Sequence, residues 1–203
     1  MERSQLGAAI RTKRAAGRPK DLEAIAELEV IWEEQQEVGS RGEEFVTVDM
    51  FTLPILRTAI IADAAAVSNV YLASRKALMP FAPLVHSDAA VRRWIREYLI
   101  PTGRVIVAIQ DGVIVGMMAL TDDEAVGWID QLYVHPRAVR CGIGTQLLER
   151  AKTVLGSPIR LYTFQANVGA RRFYERHGFR AMAFGDGTGN EEQCPDILYE
   201  WRL

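Results

Sequence analysis

The sequence predicts an α/β domain preceded by a short helical extension. Two observations predict this class: strand-like runs alternate with segments of helical spacing, and a glycine-bearing loop joins a strand to a helix in the second half. Nearly half of the 203 residues, 49%, are hydrophobic, which is enough for a sizeable core. We place the extension at residues 1–52 and the domain at residues 53–203.

The extension begins with a basic tail and continues into an amphipathic segment. Asp21 favours a helix N-cap, and apolar residues follow it at helical spacing as far as Gln36. Gly39-Ser40-Arg41-Gly42 then ends the pattern. The stretch IRTKRAAGRPKDLEAIAELE resembles the C-terminal end of nucleotidyltransferase-fold proteins from toxin–antitoxin loci. Whatever its origin, we expect this segment to act in this chain as an amphipathic helix that packs on the domain or on a second copy, as a homodimer.

The domain begins with a strand and two helices. Asp63 is the expected cap of the first helix, and Pro80 ends that helix. Ser87 begins the second helix, which Pro101-Thr102-Gly103 ends. The predicted ranges are 55–59 for the strand, and 62–79 and 87–99 for the helices.

A three-stranded meander follows, and Asp111-Gly112 joins its first two strands. Both positions of a two-residue hairpin turn need positive φ, and Asp-Gly supplies them. Beyond the meander we predict a helix, a strand, a helix and two final strands. The predicted ranges are 104–110, 113–120 and 125–134 for the meander, 144–155 and 167–177 for the helices, and 159–164, 180–184 and 197–203 for the later strands.

Charge and cysteine usage narrow the class of partner. The formal net charge is −2, which argues against a general nucleic-acid or membrane-surface binder. No apolar run is long enough to span a bilayer, and the first residues are too charged for a secretion signal. Cys141 and Cys194 are far apart, which favours a reduced, cytoplasmic setting. The histidines and cysteines show no spacing typical of a metal site.

The strongest chemical signal is the loop Arg140-Cys141-Gly142-Ile143-Gly144, which follows a strand and opens a helix. Backbone N–H groups at a helix N-terminus bind anions, and glycines let a phosphate approach the backbone closely. The loop therefore predicts a pyrophosphate site. A dinucleotide fold and a P-loop fit poorly, because Leu147 replaces the third glycine of the former and no GK[ST] follows.

A second motif follows about twenty residues later, N-x-x-A-x-x-F-Y-E-x-x-G-F from Asn167 to Phe179. Together with Val134-His135-Pro136 and the glycine loop, it resembles the GCN5-related N-acetyltransferase superfamily over roughly residues 53–203. The resemblance implies a twisted, mixed, mostly antiparallel sheet with helices on both faces, splayed between its fourth and fifth strands. It also implies direct transfer of an acetyl group from acetyl-CoA to an amine.

The resemblance implies roles for individual residues. Tyr174 would be the general acid that protonates the departing thiolate, and Asn167 would bind the cofactor arm. Leu132 and Val134 would offer backbone groups to the pantetheine arm. The pyrophosphate would lie on Arg140, Cys141, Gly142, Ile143, Gly144 and Thr145. The family usually has Gln or Arg where this chain has Val139, so Arg137 or Arg140 would supply the side-chain phosphate contact.

The general base and the acceptor site are less defined by the sequence. Asp130 precedes Val134 by four residues, so regular alternation would place both on one face of the fourth strand. Asp130 is therefore the first candidate base, with a structural ion pair as its alternative role. Glu191, Glu192 and Asp196, in or after the loop 185–195, are candidates for attracting a cationic substrate. The sequence leaves open whether four further residues line the acceptor cleft or only pack: Tyr71, Arg75, Trp94 and Trp128.

Three functional hypotheses remain at this stage. The first is an acetyltransferase whose acceptor is a small-molecule amine or a protein N-terminus. The second is a non-catalytic module that binds acyl-CoA and regulates another process. The third is an acyltransferase that uses the basic N-terminal tail to bind an aminoacyl-tRNA.

Overall fold

The computed structural model describes residues 53–122 and 125–203, which form a seven-stranded mixed sheet with two helices on each face. The predicted extension, residues 1–52, lies outside the described residues. The strand order is β1-β2-β3-β4-β5-β7-β6. The strands are β1 (Ile55–Thr58), β2 (Val105–Gln110), β3 (Val113–Asp122), β4 (Gly127–Val134), β5 (Ile159–Phe164), β6 (Arg180–Gly185) and β7 (Asp196–Trp201). The helices are α1 (Ala64–Leu78), α2 (Asp88–Trp94), α3 (Ile143–Leu155) and α4 (Val168–Arg176).

The two faces of the sheet hold separate hydrophobic clusters. Along β2, Ile106 and Ala108 pack toward α3 and α4, whereas Val105 and Val107 pack toward α1 and α2. This is the two-residue alternation of a strand that is buried on both faces. The predicted α/β class, the mixed sheet and the helices on both faces are confirmed.

The predicted hairpin turn is present, with φ of +50° at Asp111 and +76° at Gly112. Ser87 caps α2, and its hydroxyl accepts a hydrogen bond from Ala90 N–H at 3.3 Å. Helix α2 continues into a wider π turn over Ile95–Leu99 and a short 3-10 turn over Ile100–Thr102. Within the described ranges, no helix is both long enough and apolar enough to cross a membrane.

Asp63 stands at the start of α1 as predicted, but its carboxylate does not cap that helix. Instead, it accepts two hydrogen bonds from Arg57 of β1, at 2.6 and 2.9 Å, and one from Ile60 N–H at 2.8 Å. The expected cap is therefore replaced by an ion pair that ties β1 to the start of α1. The Arg57 guanidinium holds the pKa of the Asp63 carboxyl below its usual value.

Candidate active site

The sheet opens between β4 and β5. These parallel strands pair at only two positions, Gly127 with Ile159 and Trp128 with Arg160, and then diverge. On its other edge β5 pairs with β7 along its whole length. The C-terminal half of β4 therefore has one edge that no strand of the described ranges covers.

That free edge carries backbone groups of Leu132 and Val134. His135 N–H donates to Val115 O of β3 at 2.7 Å. Because successive N–H groups of a strand point to opposite edges, those of Val134 and Leu132 point away from β3 and into the opening. The structure thus aims the backbone groups of the two predicted residues into the gap between β4 and β5.

The glycine loop lies between the end of β4 and the start of α3. Arg140 and Gly142 both have left-handed backbones, with φ of +67° and +73°, and this turns the chain into the helix. The N-cap of α3 is Gly142, which has no side chain to cap the first turn. A Cβ atom added to Gly142 would meet no atom of the described residues within 4 Å, apart from its two chain neighbours, so Gly142 faces open space.

The loop residues differ in what their side chains do. Ile143 is buried in the core, whereas Cys141 is exposed. Gly144 lies under α4, where an added Cβ would approach Phe173 to 3.4 Å. The Thr145 hydroxyl lies 3.2 Å from Nε2 of His177, at the end of α4. The Ile143 side chain thus anchors α3 in the core, so that only its backbone is available to a ligand, whereas Thr145 is exposed and its hydroxyl contacts His177.

Asn167 has a structural contact that the sequence analysis did not predict. It is the N-cap of α4, and its Oδ1 accepts a hydrogen bond from Ala170 N–H at 3.1 Å. Asparagine is among the strongest N-cap residues. The prediction that Asn167 binds the cofactor arm stays a prediction, now with the side-chain oxygen already in use.

Tyr174 is buried on α4 with its ring among those of Phe173, Phe179 and Tyr199, at centroid distances of 5.3, 5.6 and 6.3 Å. Burial raises the pKa of the Tyr174 phenol well above its ordinary value. The hydroxyl is protonated at neutral pH, as an unperturbed phenol also is. Tyr133 of β4 lies within electrostatic range of this phenol. A protonated phenol near the opening is the state that a general acid requires.

Asp130 lies at a β-bulge, which breaks the regular alternation of side chains that its predicted position assumed. The ladder between β3 and β4 skips Asp130. As a result, Ile129 packs in the same cluster as Leu132 and Val134, so the alternation is broken between Ile129 and Leu132. The expectation that Asp130 shares a face with Val134 assumed an unbroken strand and is wrong.

The Asp130 carboxyl nevertheless has an altered acidity. Asp130 is solvent-exposed, yet atoms of the surrounding sheet partly desolvate its carboxyl and raise the pKa. A hydrogen bond with Thr121 partly opposes this increase. A carboxylate with a raised pKa is a better base than a free one. Its role as base stays a prediction.

Two loops meet beside the opening. Nη2 of Arg75, on α1, donates to Oε1 of Glu192 at 2.9 Å, and Nε2 of His86 lies 2.8 Å from Oε2 of Glu191. These contacts join helix α1 and the loop after it to the loop between β6 and β7, which carries the candidate residues Glu191 and Glu192. Asp196 lies apart at the base of the second loop, where it accepts a hydrogen bond from Asn190 Nδ2 at 2.9 Å.

The four residues whose roles the sequence left open fall into two groups. Tyr71 packs edge-on against Tyr133 at 4.8 Å and against Trp94 at 6.2 Å, between α1 and the sheet. Trp128 stacks on Tyr162 at 6.0 Å, at the point where β4 and β5 separate. Arg75 lies close to Tyr71 and Tyr133. Burial raises the pKa of both phenols, and the positive charge of Arg75 partly opposes that increase. Tyr133 belongs to none of the sequence motifs, and only the fold brings it into this cluster.

A sequence model of the Acetyltransferase (GNAT) family matches residues 72–179, just over half of the chain. The chain belongs to this family. The GNAT family uses acetyl-CoA as the acetyl donor, so the protein is an acyltransferase with acetyl-CoA as its co-substrate. The match spans the glycine loop and ends at Phe179, the last residue of the second motif.

Solved structures of this family share the fold. PaiA N-acetyltransferase from Thermoplasma acidophilum, in complex with coenzyme A, is 21% identical, with a TM-score of 0.58 over 74% of this chain and 99% of that one. A GCN5-related N-acetyltransferase from Rhodopseudomonas palustris is 21% identical, with a TM-score of 0.59 over 79% and 100%. Ard1 from Thermoplasma volcanium is 17% identical, with a TM-score of 0.60 over 75% and 99%. No curated protein sequence matches the chain.

Proposed function

We propose that the protein transfers the acetyl group of acetyl-CoA directly to a primary amine, with Tyr174 as the general acid. The observation that carries the proposal is one arrangement: the opening between β4 and β5 has free backbone groups on β4, an uncapped helix N-terminus at α3 and a buried, protonated phenol on α4. The backbone groups of β4 suit an extended arm that carries amides, and the helix N-terminus suits a pyrophosphate. The phenol suits a leaving thiolate.

The glycine loop fits the phosphates of acetyl-CoA. The open space at Gly142 and the uncapped first turn of α3 offer N–H donors to an anion, and the helix dipole favours its charge. Arg137 and Arg140, both exposed, flank Val139 and would supply the side-chain contact that Val139 lacks. The arm would then follow Leu132 and Val134, whose N–H groups point into the opening.

In the reaction, the neutral amine attacks the thioester carbonyl carbon. The new carbon–nitrogen bond forms, the carbon–sulfur bond breaks, and the Tyr174 hydroxyl gives its proton to the sulfur. The nitrogen then releases its second proton to solvent, and the Tyr174 phenolate takes a proton back from solvent, so the products are the amide and the CoA thiol. Asp130, directly or through water, would take a proton from the incoming ammonium, helped by its raised pKa. Glu191, whose side chain is 70% exposed, would attract a cationic acceptor toward the opening.

The test combines calorimetric titration of acetyl-CoA with an assay of CoA release over a panel of amines. We expect Tyr174→Phe to bind acetyl-CoA like the wild type and to lose about 10²- to 10⁴-fold in kcat. Tyr98→Phe is the matched control, because Tyr98 is 66% exposed and far from α4 in sequence, and its activity should be unchanged. Full turnover by Tyr174→Phe would contradict the assigned acid. Binding without turnover on any amine would favour a regulatory acyl-CoA module instead.

A further inference from the structure

Arg75 is an unusual residue to find inside this domain. Its side chain is only 3% exposed, and its guanidinium carbon lies 5.7 Å from the ring centre of Phe164, at the end of β5. Nη2 donates to Glu192 Oε1 at 2.9 Å and to Pro83 O at 3.0 Å. Nε is buried and has no hydrogen-bond partner among residues 53–122 and 125–203. The guanidinium therefore has a donor, Nε, that the described residues do not use.

This arrangement is costly unless a ligand completes it. A buried ion pair adds little to stability compared with apolar residues of the same size, and an unsatisfied buried N–H is unfavourable. The edge of a guanidinium formed by Nε and Nη2 matches the two oxygens of a carboxylate. Nη2 already donates to Glu192 and to Pro83 O, whereas the Nε half of that edge has no acceptor among the described residues.

Glu192 is a ligand that can be displaced. It belongs to the loop between β6 and β7, its side chain is 23% exposed, and it is separated from Arg75 by 117 residues of sequence. Its neighbour Glu191 is anchored separately to the exposed His86. If another carboxylate bound Nε and replaced Glu192 at Nη2, the Glu192 carboxylate would be released beside it.

We propose that Arg75 and Glu192 select an acceptor that carries a carboxylate next to its amine, as a free amino acid does. This inference rests on the proposed acetyl transfer to an amine. The acceptor carboxylate would bind Nε and Nη2 of Arg75, and the displaced Glu192 would face the acceptor ammonium. A zwitterion adds no net charge to this partly desolvated site. A simple cationic amine would add a positive charge beside an Arg75–Glu192 pair that is already neutral.

The test compares pairs of acceptors that differ only in the carboxylate: amino acids and the amines left when their carboxyl group is removed. We expect the wild type to have kcat/KM about 10- to 100-fold higher for the carboxylated member of the preferred pair, as for one charge-assisted contact. Arg75→Lys keeps the charge and loses the two-donor edge. It should abolish this preference, mainly through KM for the amino acid, and leave the carboxyl-free amine within about threefold.

Arg104→Lys is the matched control, because Arg104 also pairs with one carboxylate, Asp122, but is exposed. It should change neither substrate. Equal kcat/KM for the two members of every pair in the wild type would overturn the inference, and so would an equal loss on both in Arg75→Lys. The wild-type comparison decides the matter even if Arg75→Lys fails to fold.

The outcomes separate this inference from the proposed function. If only carboxyl-free amines are acetylated, acetyl transfer stands and the inference falls. If no amine is acetylated, acetyl transfer falls, and calorimetric titration of the same amino acids into the CoA-saturated protein tests the inference alone. Binding that Arg75→Lys loses and Arg104→Lys keeps would support it, and no binding would overturn it.

Discussion

Helix α3 packs on the sheet at Gly116 of β3. The substitution Gly116→Ala tests how closely the helix and the strand approach each other. The added Cβ would lie 2.9 Å from Cγ2 of Ile143, 3.1 Å from Cδ1 of Leu147 and 3.3 Å from Cβ of Ala108. All three neighbours are fully buried, so none has free space to move into. Ile143 is also the first residue of α3, directly after the glycine loop.

The magnitude follows from two opposing effects. Overpacking of a filled core costs about 1–3 kcal/mol, and replacing a strand glycine by alanine returns about 0.5–1 kcal/mol of backbone entropy. The middles of the two ranges give a net loss of about 1.2 kcal/mol in the free energy of unfolding. For a domain of this size, this corresponds to a fall in Tm of about 2–5 °C. Because the pushed residue begins α3, the affinity for acetyl-CoA should fall several-fold as well.

Thermal unfolding followed by circular dichroism and calorimetric titration of acetyl-CoA measure the two effects. Gly169→Ala is the matched control, because its Cβ would make only an ordinary contact of 3.8 Å with Asn167 Oδ1. Placed in a helix, that alanine should leave Tm unchanged or raise it slightly. A Gly116→Ala variant with wild-type Tm and wild-type affinity would refute the view that α3 is seated on Gly116.

Three further predictions concern single contacts. Asp63→Asn should lower the free energy of unfolding by about 1.5–3 kcal/mol at pH 7. Because Arg57 holds the pKa of Asp63 below its usual value, this difference should disappear as the pH falls through that lowered pKa. Urea titrations at several pH values measure it. Tyr199→Phe removes a 2.6 Å hydrogen bond to Glu175 and should cost about 1–2 kcal/mol in the same assay, whereas an unchanged midpoint would mean that water replaces the contact. If Asp130 is the base, the acidic limb of kcat/KM should have its midpoint above about pH 3.9 and should vanish in Asp130→Asn.

Local signals in the sequence predicted most of the fold. The strand at 159–164 has the bounds predicted, and α3 begins one residue earlier than predicted. The Asp111-Gly112 turn and the left-handed Gly178 after α4 follow from backbone preferences that each residue carries by itself. Such features depend on neighbours in the chain, so the chain alone predicts them.

Features set by distant partners could not be predicted. The bulge at Asp130 exists because of how β4 registers against β3, and strict alternation along β4 gave no sign of it. The Arg75–Glu192 pair joins a helix to a loop near the other end of the domain, so no local spacing encodes it. The same limit applies to Tyr133, whose contact with Tyr71 arises only when α1 packs on the sheet.

The short pairing between β4 and β5 has a consequence for how binding would register in solution. The amides of Leu132 and Val134 have no strand partner on their edge in the described structure, so they should exchange their hydrogens with deuterium quickly. The amides of Tyr133 and His135 are bonded toward β3 and should exchange slowly. An extended ligand lying along β4 would act as a substitute strand and slow alternate residues only. The acetyl donor would thus leave a two-residue periodic footprint in hydrogen exchange, which distinguishes insertion between the strands from binding at the glycine loop alone.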